Sequence, residues 1–195
     1  MKQILPAEEF IKEYKMKTLI IHPEDASTDF LKPIYENLEH KTVIRSNTSS
    51  EELRHQIQEH EQIIMLGHGT SYGLLNVAKI GDTYLTINSS HVEDLRSKRC
   101  IFIWCHAQNF VDQHKLKGLY TGMFISEANE LFICKDGRLE EIDPSNDLFA
   151  EALGSCLLRH GADYQMIYEE VDHVYGALAK ENMVAAYNYN RWYLN

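Results

Sequence analysis

Two apolar runs in this 195-residue chain each end on a side chain suited to nucleophilic or acid–base chemistry. Gln62-Ile-Ile-Met-Leu66 leads into Gly67-His68-Gly69-Thr70, and Arg99-Cys-Ile-Phe-Ile-Trp104 leads into Cys105-His106. A thiol needs a base to become the nucleophilic thiolate. An imidazole can hold that proton and later deliver it to a leaving group. His68 and Cys105 together therefore supply the minimal apparatus for cysteine-dependent hydrolysis. The backbone N–H groups of Gly69 and Cys105 are the available donors for an oxyanion hole.

Other polar residues stand near that pair in the sequence. His106 adjoins Cys105 and is the alternative base, but neighbours on an extended segment point apart, which favours His68. His22 closes another apolar run and could orient a catalytic group or touch substrate, with packing as the competing role. Glu24 and Asp25 follow it and could meet a cationic group of a substrate. His22, His68, Cys105 and His106 are also N and S donors of the kind zinc takes. Their spacing matches no compact zinc signature, so no metal and no cofactor are expected.

Bringing His68 to Cys105 is a task for the elements around them. Residues 17–22, 41–45, 62–66 and 99–104 read as short strands, and 121–125 and 130–134 as further strand candidates. Helices are expected at 7–15, 27–38, 90–97 and 165–178. Two more run from Ser49-Ser50-Glu-Glu-Leu53, which supplies an N-cap and first-turn acids, to about 60, and from 145 to 159, closed by Gly161. Between His68 and the helix at 90, Leu74-Leu75 and Tyr84-Leu-Thr-Ile87 flank polar turn residues and predict a hairpin flap. The alternation of strand and helix predicts an α/β fold, a three-layer α/β/α sandwich around a mostly parallel sheet. In such a sheet ligands bind beyond the carboxyl ends of the strands, where His68 and Cys105 would stand. With no repeat or linker, one domain is expected over 1–195: a core of about 17–160 and a helical, aromatic extension over 161–195.

Composition narrows the partners. Nineteen Lys and Arg against 29 Asp and Glu give a formal net charge of -10, which repels a phosphate backbone and argues against a nucleic-acid partner. No apolar run approaches the roughly 20 residues of a membrane span, so no membrane partner is expected. Acids at Glu8 and Glu9 occupy the apolar centre of a signal peptide, which points to the cytoplasm. There Cys100, Cys105, Cys134 and Cys156 would be free thiols, three of them acting as small buried hydrophobes.

The order of a strand ending in His-Gly, a β-flap, a helix and an apolar strand ending in Cys resembles the caspase-type cysteine peptidases. That superfamily includes caspases, metacaspases, clostripain, gingipains and separase. The likeness covers roughly residues 17–125, and the short gap from His68 to Cys105 is similar to that of the bacterial branches. It implies His68 as general acid/base, Cys105 as nucleophile, a thioester intermediate and a peptide or protein substrate. It also implies a deep primary pocket, for which Glu127 in Ser126-Glu-Ala-Asn129 is the candidate. The chain departs from the pattern after the nucleophile, where His106-Ala-Gln-Asn-Phe110 stands in place of glycine. The same resemblance admits an alternative, a catalytically silent caspase-like domain used for protein interaction.

Overall fold

Short runs of aliphatic residues make the centre of the molecule. The computed structural model describes residues 16–77 and 83–195. The chain begins with strand Thr18–Ile21 (β1), a 3-10 helix over Ala26–Ile34, strand Lys41–Ile44 (β2), helix Ser50–Glu59 (α1) and strand Gln62–Leu66 (β3). Three short strands follow, Gly69–Thr70 (β4), Gly73–Val77 (β5) and Thr83–Ile87 (β6). Helix Val92–Leu95 (α2) precedes strand Arg99–Ile103 (β7), helix Ala107–His114 (α3) and strand Gly118–Thr121 (β8). Helices Ile142–His160 (α4), Tyr164–Leu178 (α5) and Met183–Tyr189 (α6) lead to strand Trp192–Leu194 (β9).

Among the described residues, β2, β1, β3, β7, β8 and β9 form one sheet in that order. All pairings in it are parallel except the last, β8 with β9. The molecule is thus a mixed α/β structure with a mostly parallel central sheet. β1 and β3 are buried at every position, which is why their sequences show no polar alternation. Successive side chains project to opposite faces. Ile20, Ile64, Leu66, Ile101 and Ile103 pack with Phe149 and Leu153 of α4 and with Ile167 and Val171 of α5. Leu19, Ile21, Ile63, Met65 and Phe102 pack instead with Leu53 and Ile57 of α1 and with Phe110 and Val111 of α3. Each such side chain contributes roughly 1.5–3 kcal/mol by leaving water, so both faces of the strands are held firmly. No helix among the described residues is long and apolar enough to cross a membrane.

The hairpin flap is present as the antiparallel trio β4–β5–β6. Other expectations need correction. The segment from 27 to 38 is a 3-10 helix that ends at Ile34, with Pro33 inside it and therefore no N–H at that position. The strand expected at 121–125 lies earlier, at Gly118–Thr121, and the Gly122 N–H just beyond it donates to Arg191 O (2.9 Å) beside the last β8–β9 pair. The strand expected at 130–134 is a 3-10 helix over Ala128–Ile133. Its apolar run is only partly used, since Leu131 and Ile133 pack on a small cluster while Phe132 is 83% exposed. The Glu130 carboxylate decides the outcome by accepting the Ser126 and Glu127 N–H groups (2.7 and 3.0 Å), which closes a turn. Helix α3 directly follows Cys105-His106, where no helix was expected. The helix expected at 7–15 lies outside the described residues.

Candidate active site

The register of the central strands builds the site. Leu66 of β3 faces Ile103 of β7, and Gly67 N–H extends the pairing by donating to Ile103 O (3.0 Å). His68 and Cys105 each lie two residues beyond that last pair, so both emerge at the carboxyl edge of the sheet. They line one small pocket together with Thr28, Trp104, Phe124 and Ser126. At about 20 Å³ it has room for a water molecule and not for a side chain. A much wider groove of about 840 Å³ opens beside it, lined by Ser27, Ser126, Glu127, Asn129, Glu140 and Asp143 among others.

Two glycines deliver His68 to this edge. Gly67 has φ +135°, a conformation that side-chain-bearing residues rarely adopt. Gly69 lies flat against Trp104, and a Cβ there would fall 2.0 Å from the indole Cδ1. The indole N–H in turn donates to Thr70 O (3.1 Å), so the residue preceding Cys105 clamps the loop that follows His68. Leu75 N–H donates to His68 O (2.8 Å), which puts Gly69 at a non-hydrogen-bonded position of the β4–β5 ladder, its N–H turned away from β5. None of the described backbone hydrogen bonds takes up the Cys105 N–H. Of the two expected oxyanion donors, Cys105 lines the small pocket and Gly69 does not.

His68 is half-buried and ringed by oxygen. Its Nε2 lies 2.7 Å from Ser27 Oγ, 3.8 Å from Asp25 Oδ2 and 3.9 Å from Glu127 Oε1. Asp25 and Glu127, expected as substrate-contacting acids, therefore stand at the histidine itself. Cys105 is half-buried, whereas Cys100, Cys134 and Cys156 are buried. Its thiol donates to Phe124 O (3.4 Å) and sits 3.9 Å from Glu130 Oε1. Burial, with the Glu130 carboxylate adding to it, pushes this thiol up to about 12. In the resting arrangement the sulfur is therefore held protonated. No hydrogen bond joins it to His68 among the described residues.

The other two expected residues take different places. His22 is fully buried, so it touches no substrate in this arrangement. Arg45 donates to Tyr35 Oη (3.1 Å), which leaves the Tyr35 hydroxyl to donate to His22 Nδ1 (3.0 Å). The His22 Nε2–H then donates to Thr28 Oγ1 (3.1 Å), and Thr28 donates to Asp25 O (3.1 Å). Burial first, and then the Arg45 charge, push the His22 imidazole down to about 4. This neutral chain braces the turn that carries Asp25 and Ser27. His106 is exposed, outside the pocket, and adopts left-handed φ 67° to start α3, with its N–H donated to Gly122 O (3.1 Å). Among the described residues, no group of three or more His, Cys, Asp and Glu is arranged to hold a metal ion.

Sequence reasoning missed Ser27 and Glu130. Ser27 follows Asp25 at the spacing of an Asx turn, and the Asp25 side chain caps the 3-10 helix by accepting its N–H (2.9 Å). The acids at 127 and 130 have the spacing of a capping box, a signal masked by the apolar run Leu131 to Cys134 that follows. Compared with known proteins, the sequence matches no family model, and no curated protein is significantly similar to it.

Proposed function

We propose that the protein is a cysteine peptidase of the caspase type, a three-layer α/β/α domain working in the cytoplasm without a cofactor. The observation that carries this reading is the emergence of His68 and Cys105 from adjacent parallel strands into one pocket. In the reaction, Cys105 Sγ attacks the substrate carbonyl carbon and its proton passes to the His68 imidazole. The carbonyl oxygen gains negative charge and accepts the Cys105 and Gly69 N–H groups. His68 then protonates the leaving amine, the C–N bond breaks and a thioester remains. Water attacks the thioester, giving its proton to His68, and the acid leaves as the thiol is regenerated.

The small pocket admits only the reacting carbonyl, so the peptide lies in the wide groove. Glu127, Glu140 and Asp143 there favour a segment with positive charge. The protonated thiol implies that substrate turns Cys105 Sγ away from Phe124 O before attack.

A peptidyl acyloxymethyl ketone followed by intact-mass analysis tests the proposal. Labelling of Cys105 faster than Cys134, slowed by His68→Ala and favouring a Lys or Arg reagent over an Asp reagent, is the expected result. Equal rates at the two cysteines, indifferent to His68→Ala, sink it. A second reading draws on the distance of Cys105 from an activated state: a silent domain that binds partners through the same groove. It requires partner binding that survives Cys105→Ala and a Cys105 that no peptidyl reagent labels.

A further inference from the structure

Among the described residues His68 Nε2 has one hydrogen-bond partner, Ser27 Oγ, and the protons around that contact can be ordered. Asp25 Oδ1 accepts both the Ser27 N–H (2.9 Å) and the Ser27 hydroxyl (2.9 Å). A hydroxyl has a single proton. If Ser27 gives it to the carboxylate, the 2.7 Å contact with His68 can be satisfied only by an Nε2–H donated to Ser27 Oγ. The opposite arrangement, with the Ser27 proton on the Nε2 lone pair, would leave the carboxylate without its hydroxyl donor. It would also aim that lone pair at two anions, Asp25 Oδ2 at 3.8 Å and Glu127 Oε1 at 3.9 Å. Both effects favour the proton on Nε2.

We propose that Asp25, acting through Ser27, is a positioning device for His68 that fixes the Nε2–H tautomer and leaves Nδ1 as the nitrogen that exchanges protons with Cys105. The proposal rests on the hydrolase reading for its catalytic consequence and on the hydrogen-bond geometry alone for the tautomer. Among the described residues Nδ1 makes no hydrogen bond, so it is unoccupied in the resting site. In the reaction the Cys105 proton goes to Nδ1, the ring becomes imidazolium with both nitrogens protonated, and the Nδ1 proton leaves with the amine. The second proton stays on Nε2, donated to Ser27 Oγ throughout, and the Asp25 carboxylate offsets the transient positive charge across the hydroxyl. In this role Ser27 and Asp25 act on the His68 ring and not on the sulfur.

The device is itself held in place. Asp25 is the N-cap of the 3-10 helix Ala26–Ile34, and its carbonyl accepts both the Thr28 N–H (3.2 Å) and the Thr28 hydroxyl (3.1 Å). The chain from Arg45 through Tyr35 and His22 ends on that threonine. His22 thus supports the positioning of His68 from beneath the surface, which gives a role to a buried histidine that the hydrolytic steps do not use.

Imidazole ¹⁵N NMR of the full chain, with His68 assigned through His68→Gln, tests the tautomer at a pH where the ring is neutral. The wild type is expected to show a protonated Nε2 and a bare Nδ1. Asp25→Asn and Ser27→Ala should each move the ring toward a mixture, Ser27→Thr should restore the Nε2–H form, and Glu127→Gln, which removes a charge but no hydrogen bond, should shift it less than either. Asp25→Asn is isosteric, so the test survives if Ser27→Ala fails to fold. On the best peptide substrate, Ser27→Ala should lower kcat by ~10-fold or more with KM little changed, the signature of a lost transition-state interaction.

An Nδ1–H tautomer in the wild type overturns the proposal, as does a tautomer that ignores both Asp25→Asn and Ser27→Ala or follows Glu127→Gln instead. If the tautomer behaves as expected while no peptidyl reagent labels Cys105, the positioning stands and the hydrolase reading falls. If labelling depends on His68 but the tautomer does not depend on Asp25 and Ser27, the positioning alone falls.

Discussion

Gly69 rests on the Trp104 indole so closely that a Cβ would fall 2.0 Å from the ring. The loop after His68 is therefore locked to the residue that precedes Cys105, and the two halves of the site move as one. Gly69→Ala must push the indole, its bond to Thr70 O, or the whole β4 turn out of place. We expect a loss of about 1–3 kcal/mol, as for other overpacked sites. Denaturant melts should show it, together with the disappearance of His68-dependent labelling at Cys105. A variant as stable and as reactive as the wild type would mean that the contact does not couple the halves.

Cys105 should be inert to small alkylating agents in the resting protein. Burial and Glu130 push its thiol up to about 12, and only the thiolate reacts. Iodoacetamide at neutral pH should label it more slowly than a free cysteine, in contrast to a peptidyl reagent that fills the groove. Glu130→Gln removes the nearby charge while leaving the burial, so the rate should rise a few-fold rather than to that of a free thiol. Rapid, Glu130-independent alkylation of the wild type would contradict this account of the sulfur's surroundings.

The buried His22 gives stability a pH dependence whose sign can be worked out. Its folded value is depressed from the ordinary 6.5 to about 4, so between those values the unfolded chain binds the extra proton. Stability from this group is complete above about pH 6.5 and is lost as pH falls toward 4. At 1.36 kcal/mol per unit over 2.5 units, the loss is about 3 kcal/mol. The charged groups facing it are Arg45, Lys32 and Asp29, of which the first two hold the value down. His22→Gln should be less stable than wild type at pH 7, with the gap closing by about that amount on acidification. Parallel pH–stability curves for the two proteins would remove His22 as the cause.

His106 occupies a left-handed conformation, φ 67°, without using its exposed ring in the pocket. That backbone region costs a side-chain-bearing residue roughly 1–2 kcal/mol, and glycine relieves it at some loss of unfolded-state entropy. We expect His106→Gly to stabilise by about 0.5–1 kcal/mol, raising Tm by about 1–4 °C in a chain of this size. Labelling at Cys105 should persist in the variant. A collapse of labelling would return His106 to consideration as the base.

Much of the central sheet was legible in the sequence. Fully buried parallel strands need unbroken apolar runs, and those of β1, β3 and β7 stand out for that reason. The helix at 50–59 announced itself through its Ser49-Ser50 start and first-turn acids, and the structure makes Ser49 the cap, its side chain accepting from Glu52 N–H (3.1 Å). The 130–134 segment misled because a short apolar run, here Leu131 to Cys134, is shared by buried strands and by turns that pack over a small cluster. There a single carboxylate, Glu130, decided against the strand.

For the site, residue types and strand ends sufficed to single out His68 and Cys105, because a sheet edge exposes whatever follows an apolar run. Only the tertiary structure could supply Ser27 as the partner of His68, since a contact across 41 positions of chain leaves no periodic trace in the sequence. The same holds for the roles of His22 and Glu130. Whether a buried histidine braces a loop or meets a ligand, and whether a thiol is activated or silenced, depends on neighbours within a few ångströms. Those neighbours are set by the packing of the helices and loops on the sheet, not by the order of residues along any one segment.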